Sequence, residues 1–280
     1  DLENMAVYQF QNKFRNEKRA KSGLLRGREF LMKDLYSFHK NQDDLDTYFE
    51  EVRKAYLNVF SRLWIGDDTL YAFASWWAFS KYSYEFQTKL WIWEDNIYVC
   101  LDCKQAHNDE IVWENFECVN CKSNQYEIVK TSEVGNIFKL WTKFSDAFGL
   151  KYDDSEWKSN SVYMWCYGIW VSRLMWVIAE YFMDDKGLVW PENIAPATHY
   201  IIVMWNNLDK AISLSKDLES KWFEVIIDDR EKVWFWQKAS DADLLWIPYR
   251  IVVSDKTLEA GWYELKQRLS QETQIISLDK

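Results

Sequence analysis

Polar and apolar positions alternate along residues 5–14 (MAVYQFQNKF), and a second strand-like run follows at 29–38. Together these predict two strands joined as a hairpin, with a charged loop passing through Gly23. Between 42 and 63 the period changes: Leu45, Phe49, Val52, Tyr56, Val59, Phe60 and Leu63 recur at helical spacing behind early acids. That predicts an amphipathic helix. Residues 97–130 hold a compact cysteine module, 137–150 and 161–169 read as strands, and 172–182 reads as a helix. The stretch Trp190 to Pro196 holds two of the three prolines and reads as a linker. Beyond it, segments at 200–204, 208–221, 223–227, 239–245, 250–253 and 261–268 alternate between β and α patterns. This predicts a small α/β domain.

Charge changes the picture locally. The chain carries a net −10, which does not announce a nucleic-acid binder. From Gln11 to Lys33, however, eight basic residues face two acidic ones, Glu17 and Glu29. Such a concentration suits phosphate or another polyanion. The chain opens Asp-Leu-Glu-Asn without a basic-then-apolar run, and its longest apolar stretch, Val162 to Phe182, is interrupted by Gly168 and Arg173. Neither a signal peptide nor a spanning helix is expected, and the chain reads as soluble, cytoplasmic and free of membrane contact.

Four cysteines pair as Cys100-x2-Cys103 and Cys118-x2-Cys121. This is the spacing of a four-thiolate ribbon, which predicts a structural Zn²⁺ site with no open coordination position. Spacing alone leaves iron as an alternative metal. Cys166, the fifth, reads as a buried apolar residue. His39, His107 and His199 are scattered, and neither a nucleophile elbow nor a phosphate-binding Gly-Lys-Ser/Thr loop occurs. A reaction that depends on arginines and backbone geometry fits better than one that depends on a general base.

Eighteen Trp against eight Gly inverts ordinary usage. Trp76-Trp77 interrupt a loop-like run, Trp165 and Trp170 bracket Cys-Tyr-Gly-Ile, Trp234 and Trp236 follow an Asp-Asp-Arg-Glu-Lys turn, and Trp262 follows Gly261. Turns and close backbone approaches call for glycine. The pattern predicts that all of the tryptophans except Trp190 stand where the natural protein has glycine, as when UGA codons read as glycine are translated as Trp. The alternative is a protein that is truly rich in tryptophan.

The string FQNKFRNEKRAKSGLLRGREFLMKDLYSFH (10–39) contains Phe14-Arg15-Asn16-Glu17 and Arg26-Gly27-Arg28-Glu29-Phe30. It resembles motif 2 of class II aminoacyl-tRNA synthetases, in the form found in prolyl-tRNA synthetases. With glycine at 165 and 170, residues 165–173 become GCYGIGVSR, similar to motif 3 of that family. The segment 74–87 then resembles the family's substrate-binding stretch, with Tyr84 where the family usually has His. EVGNIFKLWTKFSDAFG and DDREKVWFWQKASDADLLWIPYRIVV also match, the latter to the anticodon-binding domain. The resemblance covers nearly the whole chain.

It implies an α+β fold: a class II antiparallel sheet with flanking helices and a zinc-ribbon insert at about 97–130, in a partial catalytic domain at 1–196. An anticodon-binding α/β domain would follow at 197–280. It implies a proline–tRNA ligase that forms prolyl-adenylate from proline and ATP with Mg²⁺, then charges tRNA(Pro). Arg15 and Arg173 would be catalytic. Arg15, Glu17, Arg26, Phe30 and Arg173 would bind ATP, with Phe30 stacking on adenine. Tyr84, Glu85, Phe86, Thr142, Trp165 and Cys166 would form the proline pocket, Glu133 would help hold Mg²⁺, and Arg230 and Lys238 would contact the anticodon. Motif 1 and the upstream Thr-x-Glu loop are not in the chain. The resemblance therefore implies a truncated, inactive fragment of a homodimer, of the bacterial type without the large editing insertion and without a role on DNA. If the indoles are real they fill the pocket, and the alternative is a catalytically dead relative that binds tRNA or senses amino-acid load.

Overall fold

The structure is a computed structural model. It describes residues 2–277 other than 3, 4, 21, 77–79, 93, 113 and 114, and for 76 and 80–82 only the backbone. Trp77, Ala78, Phe79 and the final residues 278–280 lie outside the described residues. The chain divides into two compact units, 1–180 and 181–280.

The first unit begins with β1 (Met5–Phe14) and β2 (Glu29–His39), followed by α1 (Gln42–Arg62). A hairpin of β3 (Thr69–Trp76) and β4 (Ser80–Lys89) comes next, then β5 (Asp95–Cys100) and β6 (Ala106–Asn108). The long β7 (Tyr126–Trp141) leads into α2 (Lys143–Phe148) and the short pair β8 (Lys151–Asp153) and β9 (Ser159–Ser161). The last elements are β10 (Tyr163–Ile169) and α3 (Val171–Phe182). Eight strands form one sheet in the order β1-β2-β10-β7-β4-β3-β6-β5, and β7 also pairs with β5. Among these pairs only β3–β6 is parallel.

Helix α1 starts where its sequence says it should: the Asn41 side chain accepts from Asp44 N, and Asp43 and Asp44 occupy the first turn. Its buried stripe, Leu45, Phe49, Tyr56 and Phe60, packs on one face of the sheet. Trp165 stacks on Phe49 at 4.6 Å, and Phe86 lies 5.0 Å from Tyr56 and 5.2 Å from Phe60. The opposite face is crossed by a row set by strand register: Asp34, Gly168, Asn136, Glu85. Gly168 has no room for a side chain, because a Cβ there would come within 2.7 Å of Asn136 Oδ1 and 2.8 Å of Met32 Cε.

The second unit holds β11 (His199–Val203), α4 (Leu208–Ser220), β12 (Val225–Asp228), α5 (Phe235–Leu244), β13 (Tyr249–Val253), α6 (Asp255–Glu259), β14 (Trp262–Gln267) and β15 (Thr273–Ser277). Its sheet runs β12-β11-β13-β14-β15, with the first three strands parallel. Ala239 and Ala242 of α5 cover one face with Tyr200 and Ile202, while Ala211 of α4 covers the other with Ile201, Val203, Ile251 and Val253.

Three elements differ from the sequence expectation. The run 137–150 is not one strand: β7 ends at Trp141 and α2 follows. The segment 261–268, expected to continue the β/α alternation as a helix, is the antiparallel strand β14. The stretch before the expected linker belongs to the second unit, where Leu188 N donates to Leu244 O at 3.1 Å and Arg268 pairs with Asp184 at 2.8 Å.

The backbone also bears on the tryptophans. Nine described residues other than glycine have positive φ, and six of them are Trp64, Trp141, Trp157, Trp205, Trp222 and Trp246. Trp64, Trp222 and Trp246 each stand directly after the C-cap residue of a helix, Leu63 of α1, Lys221 of α4 and Leu245 of α5. Helices commonly place a left-handed glycine there, and Gly261 does so after α6 with φ 76°.

Candidate functional site

The β1–β2 hairpin closes with Arg15 N donating to Arg28 O at 2.9 Å. Its loop is organised by Glu17. The Glu17 carboxylate accepts from Arg26 Nε at 2.8 Å, and its backbone oxygen accepts from Arg28 Nε at 2.9 Å. The Arg26 hydrogen bond holds the Glu17 carboxyl below its ordinary pKa. The basic stretch therefore forms an internally braced loop rather than a loose cationic arm.

Arg173, in the first turn of α3, is 4% exposed. Its guanidinium donates to Leu25 O at 3.0 Å and meets Glu133 at 3.2 Å and Glu94 at 3.1 Å. It thus ties the hairpin loop to β7 and to the segment before β5. Behind it stand several half-buried carboxylates. Glu133 is pushed above its ordinary pKa by burial, against the pull of Arg173. Glu85 is pushed up by burial and then by Glu133, and Asp95 is also raised by burial. Gln87 Nε2 bridges Glu85 and Asp95 at 2.9 and 2.8 Å, and Asn108 Nδ2 donates to Glu85 at 3.0 Å. Glu94 Oε1 is buried with no hydrogen-bond partner among the described residues. Glu94, Asp95, Gln87 and Asn108 were missed by sequence reasoning, since no spacing in one dimension marks them.

Phe30, Arg15 and Arg173 converge, and Trp170 fills the space between them. Its indole stacks on Phe30 at 4.7 Å and 1°, with Arg173 3.7 Å above the ring and Arg15 at 5.6 Å. The position expected for adenine is thus taken by the chain's own side chain. Trp170 Nε1 and Trp165 Nε1 are both buried without a hydrogen-bond partner among the described residues, although a buried indole ordinarily finds one.

The expected proline pocket is divided between the two faces. Glu85 and Cys166 lie on the face opposite α1, where burial pushes the Cys166 thiol up to about 11. Tyr84, Phe86 and Trp165 belong to the α1 side of the strands as a group: Phe86 and Trp165 are fully buried there, and Tyr84 stacks on Tyr71 at 5.2 Å and lies 5.3 Å from Phe49. Adjacent strand residues point to opposite faces, so Tyr84-Glu85-Phe86 and Trp165-Cys166 cannot all line one cavity. The two indoles expected to fill the site also part company: Trp170 lies between Phe30 and Arg173, whereas Trp165 is core against Phe49. Thr142 lies beyond the end of β7, at the N-cap position of α2 without a side-chain capping bond, past the left-handed Trp141 and away from Phe138, the strand partner of Cys166.

Near the α1 face, Ser37 Oγ, His39 Nε2 and Asp44 form a line with spacings of 2.8 and 3.2 Å. The connectivity mimics a hydrolase triad. Ser37 is 0% exposed and also meets the Tyr167 hydroxyl at 3.2 Å, so the line works as a buried latch.

Thiols of Cys100, Cys103, Cys118 and Cys121 all lie within 4.8 Å of one another, with Cys100–Cys121 and Cys103–Cys118 each at 3.5 Å. Tetrahedral thiolates about 2.3 Å from a shared ion would stand about 3.8 Å apart, so the four fit a metal.

In the second unit, a cavity of about 480 Å³ is bordered by Met204, Trp205, Asp229, Arg230, Trp234 and Lys238. Arg230 is partly exposed and pairs with Asp228 and Asp241, each at 2.7 Å. Lys238 is 2% exposed, and its ammonium donates to Val203 O at 2.7 Å and Asp228 O at 3.1 Å. The expectation of a presented lysine is corrected: a buried ammonium needs its internal acceptors, and Lys238 joins α5 to the strand ends.

Comparison with known proteins gives the class. The family described as tRNA synthetase class II core domain (G, H, P, S and T) matches residues 4–182, and the anticodon binding domain matches 199–280. The chain is thus a class II synthetase core followed by an anticodon-binding domain.

The probable mitochondrial proline--tRNA ligase of Schizosaccharomyces pombe is 33% identical over 98% of this chain and 65% of its own length. The proline--tRNA ligase of Sulfurimonas denitrificans is 34% identical over 95% of the chain and 66% of its own length. That of Ehrlichia ruminantium is 30% identical over 99% and 68%. The chain belongs to the proline--tRNA ligase family and spans about two thirds of the length of these relatives. In fold it is similar to the Cryptosporidium parvum prolyl-tRNA synthetase solved with L-proline and AMP. The TM-score is 0.73 at 16% identity, over 99% of this chain and 51% of that one.

Proposed function

We propose that the protein to which this chain belongs activates proline with ATP and transfers it to tRNA(Pro). The observation that carries the reading is the convergence of Arg15, Phe30 and Arg173 in front of the carboxylates Glu133 and Glu94. In the first step a proline carboxylate oxygen attacks the α-phosphorus of ATP, and the bond to pyrophosphate breaks. In the second, a hydroxyl of the terminal tRNA adenosine attacks the acyl carbon and AMP leaves. Neither bond change needs a strong protein base; both need charge neutralisation and alignment. Arg15 would hold the α-phosphate and the proline carboxylate, Arg26 and Arg173 the terminal phosphates, and Phe30 the adenine. Glu17 would act through Arg26, which it already braces.

Glu133 would help hold Mg²⁺, which supplies positive charge to the phosphates when bound. Glu85 and Cys166 form the part of the proline pocket that the geometry supports best. The four cysteines would hold Zn²⁺ structurally. Arg230 would contact the anticodon, with tRNA(Pro) bound by the second unit and proline activated by the first. The complete enzyme would be a cytoplasmic homodimer. Among the described residues no helix is long and apolar enough to cross a membrane.

The test is charging of tRNA(Pro) with labelled proline by the full-length protein. Arg15→Ala and Arg173→Ala should each lower it by about 10²-fold or more. Charging at an unchanged rate by either variant would remove that arginine from the mechanism. One observation favours a second reading: with Trp170 stacked on Phe30 at 4.7 Å, the chain as written is a synthetase relative whose nucleotide binding is weakened and which acts by binding tRNA or sensing amino-acid load.

A further inference from the structure

We propose that the four-cysteine module is a positioning element for the substrate face, acting on the Glu85 carboxylate through His107 and Asn108. The inference rests on the reading that Glu85 belongs to the proline pocket.

The strand β6 is the carrier. It leaves the first knuckle directly: Cys100 N donates to Gln105 O at 2.9 Å, Lys104 N donates to Cys100 O at 3.0 Å, and β6 begins at Ala106. It is three residues long, with three register positions against β5 and two against β3. So short a strand has little ladder of its own to fix its place.

Side chains alternate along it. His107 points to the knuckles, where its Nε2 accepts from Val119 N at 3.1 Å, inside the second pair Cys118-x2-Cys121, and its ring meets Phe116 edge-on at 5.2 Å. Accepting at Nε2 places the neutral ring's proton on Nδ1, and burial holds the ring below its ordinary pKa. Asn108 points to the other face, where Nδ2 donates to Glu85 at 3.0 Å and Oδ1 accepts from Glu110 N at 3.1 Å. A metal that clamps the two knuckles therefore grips β6 from its start and from its side. The next residue along then delivers a hydrogen bond to a carboxylate of the substrate face.

The groups facing Glu85 are few. Asn108 comes from β6, Gln87 from its own strand β4, Glu133 from β7 and Asp95 from β5. Burial and the two neighbouring acids favour the protonated form, whereas Gln87 and Asn108 favour the carboxylate. Taking Asn108 away while the fold stands must move the Glu85 titration upward.

The experiment is a carboxyl ¹³C NMR titration of the chain labelled at glutamate, with the Glu85 signal assigned by its loss in Glu85→Gln. Four samples are compared: zinc-loaded, zinc removed by a chelator, and Asn108→Ala in each state. The proposal expects an upward shift of about one pH unit on zinc removal. It expects a similar shift for zinc-loaded Asn108→Ala, and no further shift when that variant loses zinc. Shifts that add, or a Glu85 titration indifferent to the metal, would overturn it. So would a fall toward the ordinary glutamate value with loss of tertiary signals, since the module would then simply hold the domain together. The readout is a proton, not proline turnover, so the proposal fails separately from the assignment of the activity.

Discussion

Replacing Trp170 by glycine should strengthen ATP binding by the chain as written. The indole stacks on Phe30 at 4.7 Å and lies 3.7 Å beneath the Arg173 guanidinium. A parallel aromatic pair contributes about 0.5–1.5 kcal/mol beyond its buried area, and a desolvated cation–π contact about 0.5–2 kcal/mol. A nucleotide base that takes the same place must first displace this internal occupant, at a cost of about 1–3.5 kcal/mol. That lowers apparent affinity about 5- to 300-fold. Isothermal titration of Mg-ATP into the chain and into Trp170→Gly should show this gain, because the smaller residue frees the space above Phe30 and leaves strand β10 in place. Trp157→Gly, which alters an indole that is 88% exposed, should leave the titration unchanged. Equal ATP affinity before and after Trp170→Gly would refute the idea that this ring occupies the adenine position.

Trp222 is 95% exposed at φ 69° just past α4, so Trp222→Gly should stabilise the second unit by about 1 kcal/mol by relieving left-handed strain. A lower melting temperature for that variant would count against glycine at these positions. Metal analysis should find one zinc per chain, and cobalt substitution should give thiolate charge-transfer bands that Cys118→Ser weakens. Iron in place of zinc would correct the metal, and no bound metal at all would remove the site. Asp228 is 4% exposed and accepts from Tyr200 and Arg230. Burial pushes its carboxyl up, but those hydrogen bonds outweigh it and the net pKa is lowered. Its contribution is therefore present above the ordinary aspartate pKa and is lost as pH falls through the lowered value. Asp228→Asn should cost about 3–5 kcal/mol at neutral pH and flatten the acid limb of the stability profile, as read by urea unfolding from pH 7 to 3.

The parts of the fold legible in sequence were those written in local periodicity. The β1–β2 hairpin and α1 lie where alternation and the Leu45–Phe49–Tyr56–Phe60 stripe put them. Two of the gaps trace to tryptophans. Trp141 has φ 52° at the break between β7 and α2, and a glycine printed there would have marked the end of the strand. The β3–β4 hairpin went unnoticed because the sequence prints Trp76-Trp77 where glycines would have marked a turn. The arginines of the site were legible because they sit in continuous strings. Glu94, Asp95 and Asn108 were not, since only the register of β5, β6 and β7 brings them to Glu85 and Arg173. The face each residue takes decided the rest: Trp165 and Phe86 looked like pocket residues beside Cys166 and Glu85, and the pleat turned them into core.

The measurement closest to the central claim is amino-acid-dependent exchange of labelled pyrophosphate into ATP, using the full-length protein with glycine at the tryptophan positions other than Trp190. Exchange should require proline and be absent with threonine. Exchange driven by threonine, or none with any amino acid, would contradict it.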